Sequence, residues 1–147
     1  MGYRSLGACV SDLEKSGQLV RLTDEIDAHL EAAEIQRRVF QSGGPAVLFE
    51  NVRNARFPMV SNLFGTMDRA RFIFRDTIEN VKRAIALKVD PEAALKQPLK
   101  YWRAPLIAWQ MRPRAARGGP ILKNRIRIED LPALQSWPDD GGPFITL

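Results

Sequence analysis

Apolar residues recur along the first ninety positions with two different periods, and the switching between them predicts the elements. Leu6, Cys9, Val10 and Leu13 share one face of a helix, with Ser5 as its natural N-cap and Gly17 as its stop. Leu19, Val20 and Leu22 follow as a short strand. Asp27 is placed to cap a second helix, in which Ala32, Ile35 and Val39 recur on one side with Phe40 beside them. The opposite face carries Glu31, Glu34, Arg37 and Arg38, and Glu34 and Arg38 stand in the favourable i,i+4 order. Gly43-Gly44-Pro45 breaks this helix, and Ala46-Val47-Leu48-Phe49 is a compact apolar run suited to a strand covered on both faces.

A polar loop, Arg53-Asn54-Ala55-Arg56, leads to a third strand around Met59, Val60 and Leu63. Thr66 is placed to cap a helical stretch holding Phe72, Ile73 and Phe74, and Thr77 to start another with Ile78, Val81 and Ile85 on one side. Asp90-Pro91-Glu92 has the cap, the first-position proline and the first-turn acid of one more helix. Strands alternating with helices predict an α/β domain over residues 1–97, a small mixed sheet flanked by helices. The character then changes. Pro98, Pro105, Pro113, Pro120, Pro132, Pro138 and Pro143 interrupt every would-be element, so residues 98–147 read as a Pro-rich arm laid over a surface. Trp102, Leu106, Ile107, Trp109 and Met111 are its apolar anchors. Pro143-Phe144-Ile145-Thr146-Leu147 reads as a strand beginning, whose open backbone leads to the expectation that the natural protein continues.

A chain of 147 residues, 45% hydrophobic and 27% charged, fits one folded domain with an appended arm rather than a disordered chain. No apolar run approaches the roughly 20 residues a bilayer crossing needs, and Met1 to Ser5 lead into a mixed polar helix pattern rather than a signal-peptide apolar stretch. Cys9 is the sole cysteine, which excludes an internal disulfide and a four-cysteine metal site, and a reducing cytoplasmic location is expected.

The formal charge of +5 is uneven: residues 1–92 hold 13 basic and 13 acidic side chains. Between Ala93 and Ile128 stand nine basic residues (Lys96, Lys100, Arg103, Arg112, Arg114, Arg117, Lys123, Arg125 and Arg127) and no acid. Glu129, Asp130, Asp139 and Asp140 follow. Basic charge mixed with Trp102 and Trp109 is a feature of nucleic-acid binders. Against that, no recognised nucleic-acid-binding signature is present, and the prolines prevent a regular basic helix. An arm that docks on an anionic protein surface is equally basic.

The candidate chemistry is thin. His29 is the sole histidine and reads as a solvated side chain. Asp24, Glu25, Asp27 and Glu31 lack the spacing of a calcium loop and are explained by the preference of acids for a helix N-terminus. Gly43-Gly44-Pro45 precedes a strand, whereas phosphate-cradling loops follow one and open a helix. Asn62-Leu63-Phe64-Gly65-Thr66 has that strand-turn-helix order, but one glycine with a threonine cap serves any tight connection. Glu50 and Asp76 follow apolar runs without an identifiable acid–base partner. The residues specify no catalytic, cofactor-binding or metal-binding position.

Four stretches in order resemble the UbiD family of prenylated-FMN-dependent decarboxylases. They are Ser5-Leu6 with Asp12 to Arg21; Glu34-Ile35 with Gly43 to Val52; Asn62 to Thr66; and Leu131 to Thr146, which includes Trp137-Pro138-Asp139-Asp140-Gly141-Gly142-Pro143. The last is similar to the segment that leads the family into its flavin-binding domain. The resemblance implies a non-oxidative carboxy-lyase acting on an aromatic or α,β-unsaturated acid, with prenylated FMN, Mn²⁺ or Mg²⁺, and K⁺. It also implies that the metal ligands, flavin contacts and catalytic Arg and Glu lie beyond the matching segment, so the expected sites in this chain are none. The chain is then an inactive N-terminal domain whose partner is the flavin-binding domain, in a full-length homo-oligomer without membrane contact. The alternatives are a free-standing interaction module that lost the enzyme and a basic nucleic-acid binder.

Overall fold

Among the described residues, three strands and four helices carry the α/β character that the alternating periods predict. The order is α1 (Leu6–Lys15), β1 (Leu19–Ile26), α2 (Glu31–Gln41), β2 (Ala46–Val52), β3 (Met59–Ser61), α3 (Met67–Ile73) and α4 (Ile78–Val89). The computed structural model describes residues 2–90, 92, 99, 102, 105, 106, 109, 112, 113, 115, 118, 119, 123 and 125–142. The helix expected after Asp90-Pro91 and the strand expected at 143–147 lie outside the described residues. Contacts divide the chain into two compact units, one of Tyr3–Ile73 with Arg125–Leu147, the other of Met1–Gly2 with Phe74–Asn124.

In the larger unit the sheet order is β1-β2-β3, with β1 and β2 parallel and β2 and β3 antiparallel. The central strand is sorted by its period of two. Val47 and Phe49 face α2 in a cluster with Ile26, Ala28, Ala32 and Val52, against which Ile35, Val39 and Met59 pack. Ala46 joins Cys9, Val10 and Leu13 of α1, Leu19 and Ile73 in the other cluster, and Leu48, Val60 and Phe72 pack against it. Among the described residues Phe49, Leu13 and Val47 are the largest fully buried side chains, so both faces of β2 are covered, as its unbroken apolar run requires.

Local signals hold where they are self-contained. The Ser5 hydroxyl accepts the Ala8 N–H at 3.2 Å, and Gly17 takes φ +71° just past the end of α1. Thr66 Oγ1 accepts the Arg69 N–H at 3.2 Å.

Three expectations need correction. Asp27 does not cap α2: the helix starts at Glu31 behind Leu30, which takes φ +68° with no side-chain cap bond. The Asp27 carboxylate instead accepts the His29 N–H at 2.8 Å, closing a turn of its own, while Glu31 Oε2 reaches back to the Asp27 N–H. β1 runs on to Ile26 rather than ending near Leu22, because its outward charged residues pair across the sheet, Arg21 with Glu50 and Glu25 with Arg53. β3 stops before Leu63, since Asn62 turns left-handed at φ +58°. α4 does start at Thr77, its N-cap residue, as expected, with the Thr77 hydroxyl donating to the Phe74 carbonyl at 3.2 Å rather than accepting a helical N–H.

Residues 125–142 contain one short 3-10 turn, Ile128–Asp130. They are tied to the sheet unit through backbone. Gln135 N–H donates to Ala28 O at 3.2 Å, Leu30 N–H to Gln135 O at 2.9 Å, and Arg56 N–H to Asp130 O at 3.2 Å.

Candidate functional site

Two features stand out in the larger unit, a buried cation and an open groove. Arg69 lies on α3 one turn before Phe72 and Ile73, so the helical spacing turns it inward with them. It is 3% exposed, and its guanidinium donates to Leu63 O at 3.1 Å, Gly44 O at 3.0 Å and Asn62 O at 2.7 Å. Burial pushes its pKa below the ordinary arginine value, though no shift of that kind discharges a guanidinium near neutrality. Asn62 Nδ2 adds bonds to Pro45 O at 2.8 Å and Gly44 O at 3.2 Å. A Cβ on Gly65 would stand 1.8 Å from Asn62 Oδ1 and 2.9 Å from an Arg69 nitrogen, so only glycine fits there. The Gly43-Gly44-Pro45 turn and the Asn62–Thr66 turn are thus one knot. The donors point at backbone carbonyls, which is the chemistry of holding loops together, and phosphate binding is not served by it.

The groove, of about 760 Å³, runs between α2 and β3, and residues 134–138 form one wall. Phe40, Met59 and Trp137 supply its apolar lining, and Phe40 and Trp137 are exposed. The charged side chains of its rim, Glu34 and Arg37, are already engaged. Arg37 grips Glu34 through two nitrogens at 2.7 Å and donates to Gln41 at 3.0 Å, and Arg38 reaches the same Glu34 at 2.7 Å. Hydrogen bonds from both arginines hold the Glu34 carboxyl at about 2, well below the usual carboxylate range. Ser61, on the β3 side of the groove, has a shielded hydroxyl with no partner among the described residues.

The residues singled out in the sequence are not brought into one site. His29 is exposed and takes part through its backbone, opposite Gln135. Glu25 and Asp27 bind Arg53, Glu31 serves the Asp27 N–H, and Asp24 is exposed. Glu50 pairs with Arg21, which also holds Glu14; the Arg21 hydrogen bond lowers the Glu14 pKa. Asp76 is exposed ahead of α4, and Cys9 is buried in the α1 core. Of the basic run, Arg112, Lys123, Arg125 and Arg127 are exposed, and Lys96, Lys100, Arg103, Arg114 and Arg117 lie outside the described residues. Among the described residues there is no group of three or more His, Cys, Asp or Glu able to hold a metal ion, and no helix long and apolar enough to cross a membrane.

Arg69 and the groove are what the sequence reading missed. The one available signal for Arg69 was its helical phase with Phe72 and Ile73.

Comparison with known proteins gives the family. A family model described as the 3-octaprenyl-4-hydroxybenzoate carboxy-lyase N-terminal domain, UbiD_N, matches residues 10–97. An uncharacterized protein of Chlamydia trachomatis serovar D is 37% identical over 147 residues, covering 97% of this chain and 25% of its own length. Uncharacterized proteins of Chlamydia muridarum and Chlamydia caviae are 37% and 35% identical, with coverage of 25% and 26% of their lengths. The chain therefore spans about a quarter of the length of the curated relatives it matches. With a family match over more than half of its residues, this chain belongs to the UbiD N-terminal domain family.

Proposed function

We propose that this chain is the non-catalytic N-terminal domain of a UbiD-type decarboxylase. The whole protein would remove CO₂ from an aromatic or α,β-unsaturated carboxylic acid, with prenylated FMN, Mn²⁺ or Mg²⁺, and K⁺. The observation that carries this reading is the match of residues 10–97 to a domain described as the N-terminal part of a carboxy-lyase. Among the described residues no three His, Cys, Asp or Glu are grouped to hold a metal ion, and Arg37 at the groove rim is held by Glu34 and Gln41. No chemical step is assigned to the described residues. The domain's contribution is structural: a rigid two-faced sheet presented to a flavin-binding domain, within a cytoplasmic homo-oligomer.

Two measurements test this. The purified chain, supplied with prenylated FMN, MnCl₂ and KCl, is assayed for CO₂ release from cinnamic and 4-hydroxybenzoic acids. No release is expected, and turnover would overturn the non-catalytic reading. Sedimentation with the flavin-binding domain of a UbiD-type decarboxylase is expected to give a complex, and two separate species would overturn the docking role.

A further inference from the structure

We draw no further inference here: the strongest candidate, the groove between α2 and β3 bordered by Phe40 and Trp137, is an apolar face and nothing in the structure shows what covers it.

Discussion

Replacing Arg69 by methionine removes three donors and a buried charge while keeping most of the side chain's length. The consequence can be worked from the bonds that remain. Gly44 O keeps the Asn62 Nδ2 donor at 3.2 Å, and Asn62 O keeps the Gly65 N–H at 3.2 Å. Leu63 O keeps no partner among the described residues. The half-buried Leu63 carbonyl left without a donor costs up to about 1–3 kcal/mol, and two more carbonyls lose a charge-assisted bond worth roughly 1.5–3 kcal/mol each. Against this stands the desolvation of a guanidinium with no carboxylate among its bonds, a burden the methionine lifts and which offsets several kcal/mol. We expect a net loss of about 2–4 kcal/mol, a large part of the roughly 5–15 kcal/mol typical of a domain. In a chain of this size that lowers Tm by about 10 °C. Urea unfolding followed by far-UV circular dichroism measures it, with an unchanged slope showing that stability alone has moved. Arg69→Lys keeps the charge but loses the planar fork, and should fall between the two. An Arg69→Met protein that unfolds within about 0.5 kcal/mol of the parent would refute the claim that the knot holds the two turns.

Three other outcomes follow from the same geometry. Gly65→Ala drives a Cβ to 1.8 Å from Asn62 Oδ1 and forces Asn62 off Gly44 O and Pro45 O, so it should cost about 2–4 kcal/mol. The added Asn62→Ala change should restore part of that loss in urea unfolding, and a strictly additive pair would refute the collision. Because the Glu34 carboxyl is held at about 2, its contribution is present above the usual carboxylate range and fades as pH falls from there toward 2. The acid-unfolding profiles of the parent and Glu34→Gln should converge across that interval, and the gap above it should shrink with added salt, since the pair is exposed. Gln135→Pro deletes the N–H that binds Ala28 O, so amide exchange at Leu30 and Arg56 should accelerate while exchange at Phe49 stays slow. Unchanged Leu30 exchange would show that residues 125–142 are held by something other than these bonds.

What was legible in the sequence is what depends on near neighbours. Ser5 and Gly17 bracket α1 with the cap and the left-handed stop their chemistry suggests, and the run from Ala46 could only be a strand covered on both sides. The misses share a cause. Asp27 has its helix-capping role taken over by a turn, because the chain needs Leu30 in a left-handed conformation to enter α2. β1 outlasts its apolar residues because Glu50 and Arg53, nearly thirty positions on by the spacing of the pairs, answer its charges. Nothing in the neighbouring residues beyond its helical phase sets Arg69 apart from a surface arginine, and arginine is rarely fully buried. Its burial is decided by carbonyls at Gly44 and Asn62, which no helical wheel contains. The groove is further still from local pattern, since its walls come from α2, β3 and the far end of the chain.

The same distinction separates the family match from the spatial unit. The match ends at residue 97, yet residues 125–142 group with Tyr3–Ile73. The prolines explain how both hold. A segment broken by Pro132 and Pro138 builds no ladder of its own, so its backbone groups need partners elsewhere. It finds them where the sheet unit also has unmet needs, at the two loops that follow β1 and β2. Leu30 is the clearest case. It is the centre of a strained γ-turn, φ +68° and ψ −39°, closed by the Glu31 N–H on His29 O, and it stands at the uncapped entry of α2. Its N–H is taken up by Gln135 O, so the proline-rich segment satisfies a strained helix start that no side chain of the sheet unit serves. Residues 125–142 are then the part that completes the α2 end of the sheet unit.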